Sequence, residues 1–208
     1  MNEYTLSESV FLTPTPKGAY YATASPEPEA ARAVLRGLMA REETRPASLD
    51  EIGAWTGESD SLPLLYRMER ADWLTGATAS TMLVVRNLET DMPVVLERLS
   101  EEGRALLADT QGFTLAQAGF HHEIAEELAL LGAEIANLQF KYNKLIRGNL
   151  RLPSAAMGLL DSAGNSQLGI WPLFIGSQQF LLMVQGMPKF DQPAFLQMAW
   201  SLCWRYGS

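Results

Sequence analysis

The chain has 208 residues, 47% hydrophobic and 19% charged, which is enough apolar material for one large domain or two small ones with a buried core. Its net charge of −8 argues against broad binding to nucleic acid or anionic membranes, because both need a basic surface, but it allows a local basic patch. The single cysteine, Cys203, excludes an internal disulfide. Together with an N-terminus that lacks the pattern of an export signal, it favours a cytoplasmic protein.

In chain order, the first 88 residues predict an arm and a small helical module. Residues 1–24, which include TPTPKG, are expected to form an extended arm. After SPEPE, the segment AARAVLRGLMAREE predicts a helix, since its apolar side chains recur at helical spacing. SLDEIGAW predicts a short second helix and LPLLYRMERADWL a third, and TGATASTMLVVRNL alternates weakly, as a small hairpin would.

This order of three helices and a hairpin resembles the winged helix-turn-helix family over residues 28–88, through SLDEIGAWTG and LPLLYRMERADWL. The resemblance implies a winged-helix-like domain over residues 25–88, whose third helix would present Arg67 and Arg70 to nucleic acid or to a protein partner. Residues 1–88 carry eight basic and twelve acidic side chains. That balance favours a protein-docking or structural role over DNA binding.

Residues 89–208 show stronger patterns and predict an α+β domain with one antiparallel sheet. A helix opens near Met92, two strands flank Asp109 to Gly112, and a long helix follows. Three further strands and a final helix complete the order helix-ββ-helix-βββ-helix. The uncharged run 168–187 contains Pro172 and Gly176, so it is predicted to be two strands and a turn, and no insertion into a membrane is expected.

Asp109 lies at the end of an apolar strand, where enzymes often keep a catalytic acid or a metal ligand. Gly112 follows it three residues later, and Asp161 and Gly164 repeat this spacing in the second hairpin. An aspartate can accept hydrogen bonds from turn amides, and glycine tolerates a positive φ, so all four are predicted to be structural turn residues. An enzyme that uses Asp109 or Asp161 is the competing hypothesis.

No other part of the sequence makes a positive case for catalysis. The common nucleotide-binding, metalloprotease and hydrolase motifs are missing, and the adjacent His121 and His122 point in different directions, which disfavours a shared metal ion. The prediction is therefore a protein that is not an enzyme, without catalytic residues, metal or cofactor.

Residues 121–149 predict a long helix with an apolar seam that continues for about 22 residues. A second stripe of small side chains runs beside the seam, from Ala125 to Ala136, and would let another surface approach closely. Glutamates lie at the start of the helix and Lys141, Lys144 and Arg147 at its end, as the helix dipole favours. Such a helix is longer than a four- or five-stranded sheet is wide, so a homodimer is predicted. The predicted interface residues are Ile124, Leu128, Leu131, Ile135, Leu138 and Tyr142.

The stretch LLADTQGFTLAQAG, which leads into this helix, resembles the roadblock family. Residues 90–207 are similar to that family in their order of elements, in Asp109 and Gly112, and in the run from Phe113 to Gly119. The resemblance implies a domain that forms homodimers without enzymatic activity. Several bacterial and archaeal members bind small Ras-like GTPases as regulators, and eukaryotic members act as dynein light chains or lysosomal scaffolds. The N-terminal half departs from the minimal members of the family.

Two functional hypotheses follow from these patterns and resemblances. The first is a dimeric scaffold or regulator that binds a small Ras-like GTPase or another protein through the roadblock-like domain. The second is a DNA-binding transcription regulator that is dimerised by the same domain and contacts DNA through Arg67 and Arg70.

Overall fold

The computed structural model describes residues 9–152 and 154–207 of the chain, and its N-terminal part contains four helices and two short strands. The elements are β1 (Phe11–Pro14), α1 (Pro16–Thr23), α2 (Ala30–Met39), α3 (Leu49–Thr56), α4 (Leu62–Arg70) and β2 (Leu74–Ala77). The predicted extended arm is wrong for residues 16–23, which are helical; residues 1–8 lie outside the described residues. Thr15 caps α1 by accepting a hydrogen bond from the Gly18 amide at 3.0 Å.

The predicted hairpin at residues 75–88 does not form. β2 pairs with β1, in antiparallel register from Phe11↔Ala77 to Pro14↔Leu74. Residues 78–91 contribute only one isolated bridge, between Met82 and Glu43, among the residues that the structure describes. The three helices α2, α3 and α4 are therefore present in the predicted order, but the wing that would complete a winged helix is not a local hairpin.

The C-terminal part has the predicted order of elements. It contains α5 (Met92–Glu97), β3 (Ala105–Asp109), β4 (Thr114–Ala118), α6 (His122–Lys141), β5 (Met157–Leu160), β6 (Ser166–Ile175), β7 (Gln178–Gln185) and α7 (Pro193–Tyr206). The five strands form one antiparallel sheet in the order β4-β3-β7-β6-β5. The uncharged run 168–187 is thus the β6–β7 hairpin, as predicted.

The predicted long helix is divided. α6 ends at Lys141 after 20 residues, and a π-helix (Lys144–Asn149) continues the chain after a break at Tyr142. At about 1.5 Å per residue, α6 is roughly 30 Å long, shorter than the helix predicted over residues 121–149.

Side chains that alternate along the strands divide the core between the two faces of the sheet. On one face, Leu106, Ala108, Leu181 and Met183 pack against α6. On the other face, Leu107, Leu182 and Val184 join a larger cluster that includes α5 and α7. α7 fills that cluster with a row of fully buried side chains: Phe195, Met198, Ala199 and Leu202.

The same larger cluster also contains the N-terminal helices, since α1 and α2 pack against α7. Hydrogen bonds also connect these regions of the chain. Trp200 Nε1 donates to the Arg41 carbonyl at 2.6 Å, and Arg36 Nη2 donates to the Phe174 carbonyl at 3.1 Å. The predicted division into domains at residues 25–88 and 89–208 remains a prediction, but its two parts share one buried core.

Candidate protein-interaction surface on helix α6

The small side chains of α6 hold the helix against its own sheet. Ala125, Ala129, Gly132 and Ala133 are buried between α6 and the strands. A Cβ atom at Gly132 would lie 2.8 Å from Met183 Sδ and 3.0 Å from Met183 Cε, which is closer than normal packing allows. The stripe that was expected to admit another surface is therefore already occupied by β7.

The opposite side of α6 is an apolar face that lies open to solvent. Of the six predicted interface residues, Ile124, Leu131, Leu138 and Tyr142 are exposed. Leu128 and Ile135 are half-buried and pack against the α6 side of the core. Exposed apolar side chains at this spacing on one helix are typical of a surface that another protein covers.

Further exposed apolar side chains lie on and beside α6 that the predicted seam did not include. They are Leu130 and Phe140 on the helix, Phe113 on the β3–β4 turn, and Leu159 and Leu160 on β5. β5 ends the sheet and pairs with β6 alone in the described part of the chain, so its outer edge has free backbone groups. The apolar surface and the free strand edge belong to the same domain. The predicted seam omitted Leu130 and Phe140 because its residues follow one another at alternating intervals of four and three, and neither side chain falls on that spacing.

Charged side chains are separated along α6. Glu123, Glu126, Glu127 and Glu134 are exposed over the first two-thirds of the helix, and Lys141 is exposed at its last residue. His122 Nε2 lies 3.2 Å from Glu126 Oε1, one turn further along the helix. The acidic part and the basic end therefore lie on the same helix as the exposed apolar face.

Asp109 and Asp161 both lie in hairpin turns. The Asp109 Oδ1 atom accepts hydrogen bonds from the amides of Gln111 at 2.8 Å and Phe113 at 2.9 Å. The Asp161 Oδ1 atom accepts from the amides of Ala163 at 2.8 Å and Asn165 at 2.9 Å. The glycines of the two turns, Gly112 and Gly164, have φ of +90° and +88°.

The hydrogen bonds of these two aspartates hold each side chain in its own turn. Hydrogen bonds from the Asn165 side chain and amide hold the pKa of Asp161 below its ordinary value. In the described part of the chain, no group of three or more His, Cys, Asp and Glu side chains is arranged to hold a metal ion. Asp109 has two turn amides as its side-chain partners, and each of those bonds helps to fix the hairpin.

Arg67 and Arg70 are exposed on α4, close to the end of the helix, and Glu69 lies between them. Their side chains face solvent, while Leu64, Leu65 and Met68 on the same helix are buried. The pair is therefore accessible to a partner, but it lies on a different element from the apolar face of α6.

Cys203 is buried on α7. Burial raises the pKa of its thiol to about 12, although the nearby Arg36 guanidinium acts in the opposite direction. A thiol with so high a pKa stays protonated at neutral pH and is a poor nucleophile.

None of the helices in the described residues has both the length and the apolar character needed to cross a membrane.

Comparisons with known proteins give a partial likeness. No family model matches the sequence, and no curated protein matches it. The chain is similar to the Roadblock/LC7 domain from Streptomyces avermitilis, with 13% identity and a TM-score of 0.34, over 54% of this chain and 87% of that chain. It is also similar to Myxococcus xanthus MglB, with 16% identity and a TM-score of 0.33, over 56% of this chain and 84% of that one. At these scores, neither structure assigns an activity or a partner to this chain.

Proposed function

We propose that this protein is a non-enzymatic, dimeric scaffold or regulator, whose dimer forms through the exposed apolar face of α6. The observation that carries the proposal is this face itself. Ile124, Leu131, Leu138 and Tyr142 are exposed on one side of a helix whose other side is fully used in packing on the sheet. An apolar surface of this kind is costly to leave in water, and covering it by a second copy removes that cost.

The charges on α6 favour an antiparallel arrangement of the two copies. In an antiparallel pair, the glutamates from Glu123 to Glu134 on one helix face the basic end at Lys141 on the other. A parallel pair would bring like charges together at both ends. The free edge of β5, with exposed Leu159 and Leu160, offers a second contact that can repeat across the same two-fold axis.

A small Ras-like GTPase is the partner that we infer for the dimer. The support is the resemblance of residues 106–119 to the roadblock motif, because several members of that family bind such GTPases. Since the N-terminal helices extend beyond the length of a minimal roadblock domain, we further propose that they provide a second docking surface.

Leu131→Glu tests the dimer. Leu131 is 41% exposed near the middle of the face, so a buried charge there should disrupt self-association while the fold stays intact. Leu49→Glu on α3 is the matched control, because Leu49 is 40% exposed and lies outside the face. We expect light scattering to give a dimer for the parent and the control and a monomer for Leu131→Glu. A monomeric parent protein would refute the dimer.

Affinity capture from a native lysate tests the partner. Nuclease-treated and untreated samples should both retain a Ras-like GTPase, identified by mass spectrometry. If the parent protein enriches no such GTPase, the regulator hypothesis loses its support, whatever the oligomeric state.

The exposed pair Arg67 and Arg70 favours one second candidate, a DNA-binding regulator dimerised by α6. This candidate predicts salt-dependent binding to duplex DNA that is lost in Arg67→Glu/Arg70→Glu, since each phosphate contact releases counterions. The same lysate capture distinguishes the two candidates, because proteins held through DNA would disappear after nuclease treatment.

A further inference from the structure

Residues 137–152, which we call the basic segment, differ in charge from the rest of the molecule. The segment NLQFKYNKLIRGNLRL carries Lys141, Lys144, Arg147 and Arg151 and no acidic residue, within a chain of net charge −8. It spans the end of α6, the π-helix and the three residues that follow. The acidic average of the chain therefore conceals a local basic patch.

The same segment exposes large apolar side chains between its cations. Phe140 is 85% exposed, and each of the others is about half exposed. Apart from Leu138 and Tyr142, which belong to the proposed dimer face, the exposed set is Phe140, Leu145, Leu150 and Leu152. An exposed cluster of this size is unusual on the surface of a soluble protein and marks a contact site.

The four cations are not engaged in ion pairs within the part of the chain that the structure describes. Lys141 Nζ lies 5.6 Å from the centre of the Tyr142 ring. Lys141, Lys144 and Arg151 are exposed and Arg147 is half-buried, so the segment presents three exposed charges to an external anion.

We propose that the basic segment adsorbs to the surface of an anionic phospholipid bilayer. Interleaved basic and apolar side chains suit the bilayer interface, where cations bind lipid phosphates and leucine and aromatic side chains enter the acyl boundary. The exposed side chains come from three differently folded pieces, an α-helix end, a π-helix and a bend without regular secondary structure. A fluid surface accommodates such a set without a single matching shape, whereas a folded acidic protein would need a pocket for each side chain.

Vesicle co-sedimentation of the full chain tests the proposal. We expect the protein to sediment with vesicles of phosphatidylcholine and phosphatidylglycerol but not with phosphatidylcholine alone. Lys144→Glu/Arg151→Glu should lower the partition coefficient on the order of 30-fold, because each cation near an anionic surface contributes about fivefold and reversal adds repulsion. Phe140→Ser/Leu150→Ser should also weaken binding, because it removes apolar contacts with the acyl boundary without changing the charge of the segment.

The control is Arg67→Glu/Arg70→Glu, the same charge reversal on exposed residues of α4, which should leave vesicle binding within about threefold of the parent. The four substituted positions of the segment lie outside the six predicted interface residues, so light scattering should still report the parent oligomer. Circular dichroism should report the parent helix content for all variants.

The proposal is overturned if the parent protein does not sediment with the anionic vesicles or binds neutral vesicles equally well. It is also overturned if the α4 control loses as much binding as the segment variants. Binding to polyglutamate without binding to vesicles would also overturn it, and would instead assign the segment to an acidic protein partner.

Discussion

Asp109 and Asp161 show how one residue type can look catalytic in a sequence and serve a turn in the structure. Each carboxylate accepts hydrogen bonds from two backbone amides of its own loop, and each loop contains a glycine at positive φ. Asp161 also accepts a hydrogen bond from Asn165 Nδ2 at 3.0 Å. For Asp161, these hydrogen bonds favour the ionised carboxylate, so the second turn and the charge state of this side chain are linked.

This linkage predicts the pH response of the second hairpin. Because the pKa of Asp161 is lowered in the folded protein, chiefly by the Asn165 side chain, its contribution to stability is present above the unfolded pKa of about 3.9. The contribution is lost as the pH falls through the lower, folded pKa.

Asn165→Ala should therefore raise the pKa of Asp161 toward its ordinary value. The rise should be partial, since the backbone amides of Asn165 and Ala163 still donate. A titration of side-chain carboxyl chemical shifts measures it, with Asn137→Ala on the exposed side of α6 as the control. An unchanged Asp161 pKa in Asn165→Ala would contradict this account of the turn.

At the scale of the element, α6 depends on the close approach of its small side chains to β7. Gly132→Leu should lower the free energy of unfolding by about 1–3 kcal/mol, because Met183 lies where the new side chain must go and is itself fully buried. Gly148→Leu is the control. A Cβ at Gly148 would lie 3.9 Å from the Lys144 Cγ atom, an ordinary van der Waals contact, and the backbone there has no positive φ.

Urea unfolding measures both changes. If Gly132→Leu were as stable as the parent, α6 would not be held against the sheet by its small residues, and the outward direction of the apolar face would be in doubt. Equal losses in both variants would point to a general effect of leucine in this region.

The elements that the sequence predicts well are those whose signals are local. The two Asp-to-Gly turns and the alternating strands give the order β3-β4 and β5-β6-β7, and the apolar positions of α7 identify its buried side. The start of α1 also has a local signal, because Thr15 can cap a helix and Pro16 suits its first position. The prediction of an extended arm over residues 1–24 did not take this capping signal into account.

The features that the sequence did not reveal depend on distant or unmarked contacts. β2 pairs with β1, about 60 residues earlier in the chain, so its weak alternation could not identify its partner. The break after Lys141 has neither glycine nor proline to mark it. Periodicity alone did not show whether the apolar seam of α6 or its stripe of small side chains faces the sheet, because both have helical spacing.

At the scale of the whole molecule, one core links the parts that the sequence divides. Leu35 and Met39 of α2 lie in the same buried cluster as Phe195 and Ala199 of α7. Backbone carbonyls of the N-terminal part accept hydrogen bonds from the C-terminal part, since Trp200 donates to Arg41 and Arg205 Nη2 donates to Arg86 at 2.7 Å. Separating the parts would expose the apolar surface of α7 on which α1 and α2 pack.

The shared core predicts that the chain unfolds as one cooperative unit. Amides in α2 and in β7 should become accessible to hydrogen exchange with opening free energies that agree within about 1 kcal/mol, because neither part can keep its core when the other opens. Native-state exchange at rising denaturant, read by mass spectrometry of peptides from α2 and β7, measures the two values. α4 and β2 make fewer contacts with α7 and serve as an internal comparison for local opening. An α2 that opened several kcal/mol below β7 would instead indicate two independent domains, and the N-terminal helices would then be a detachable module.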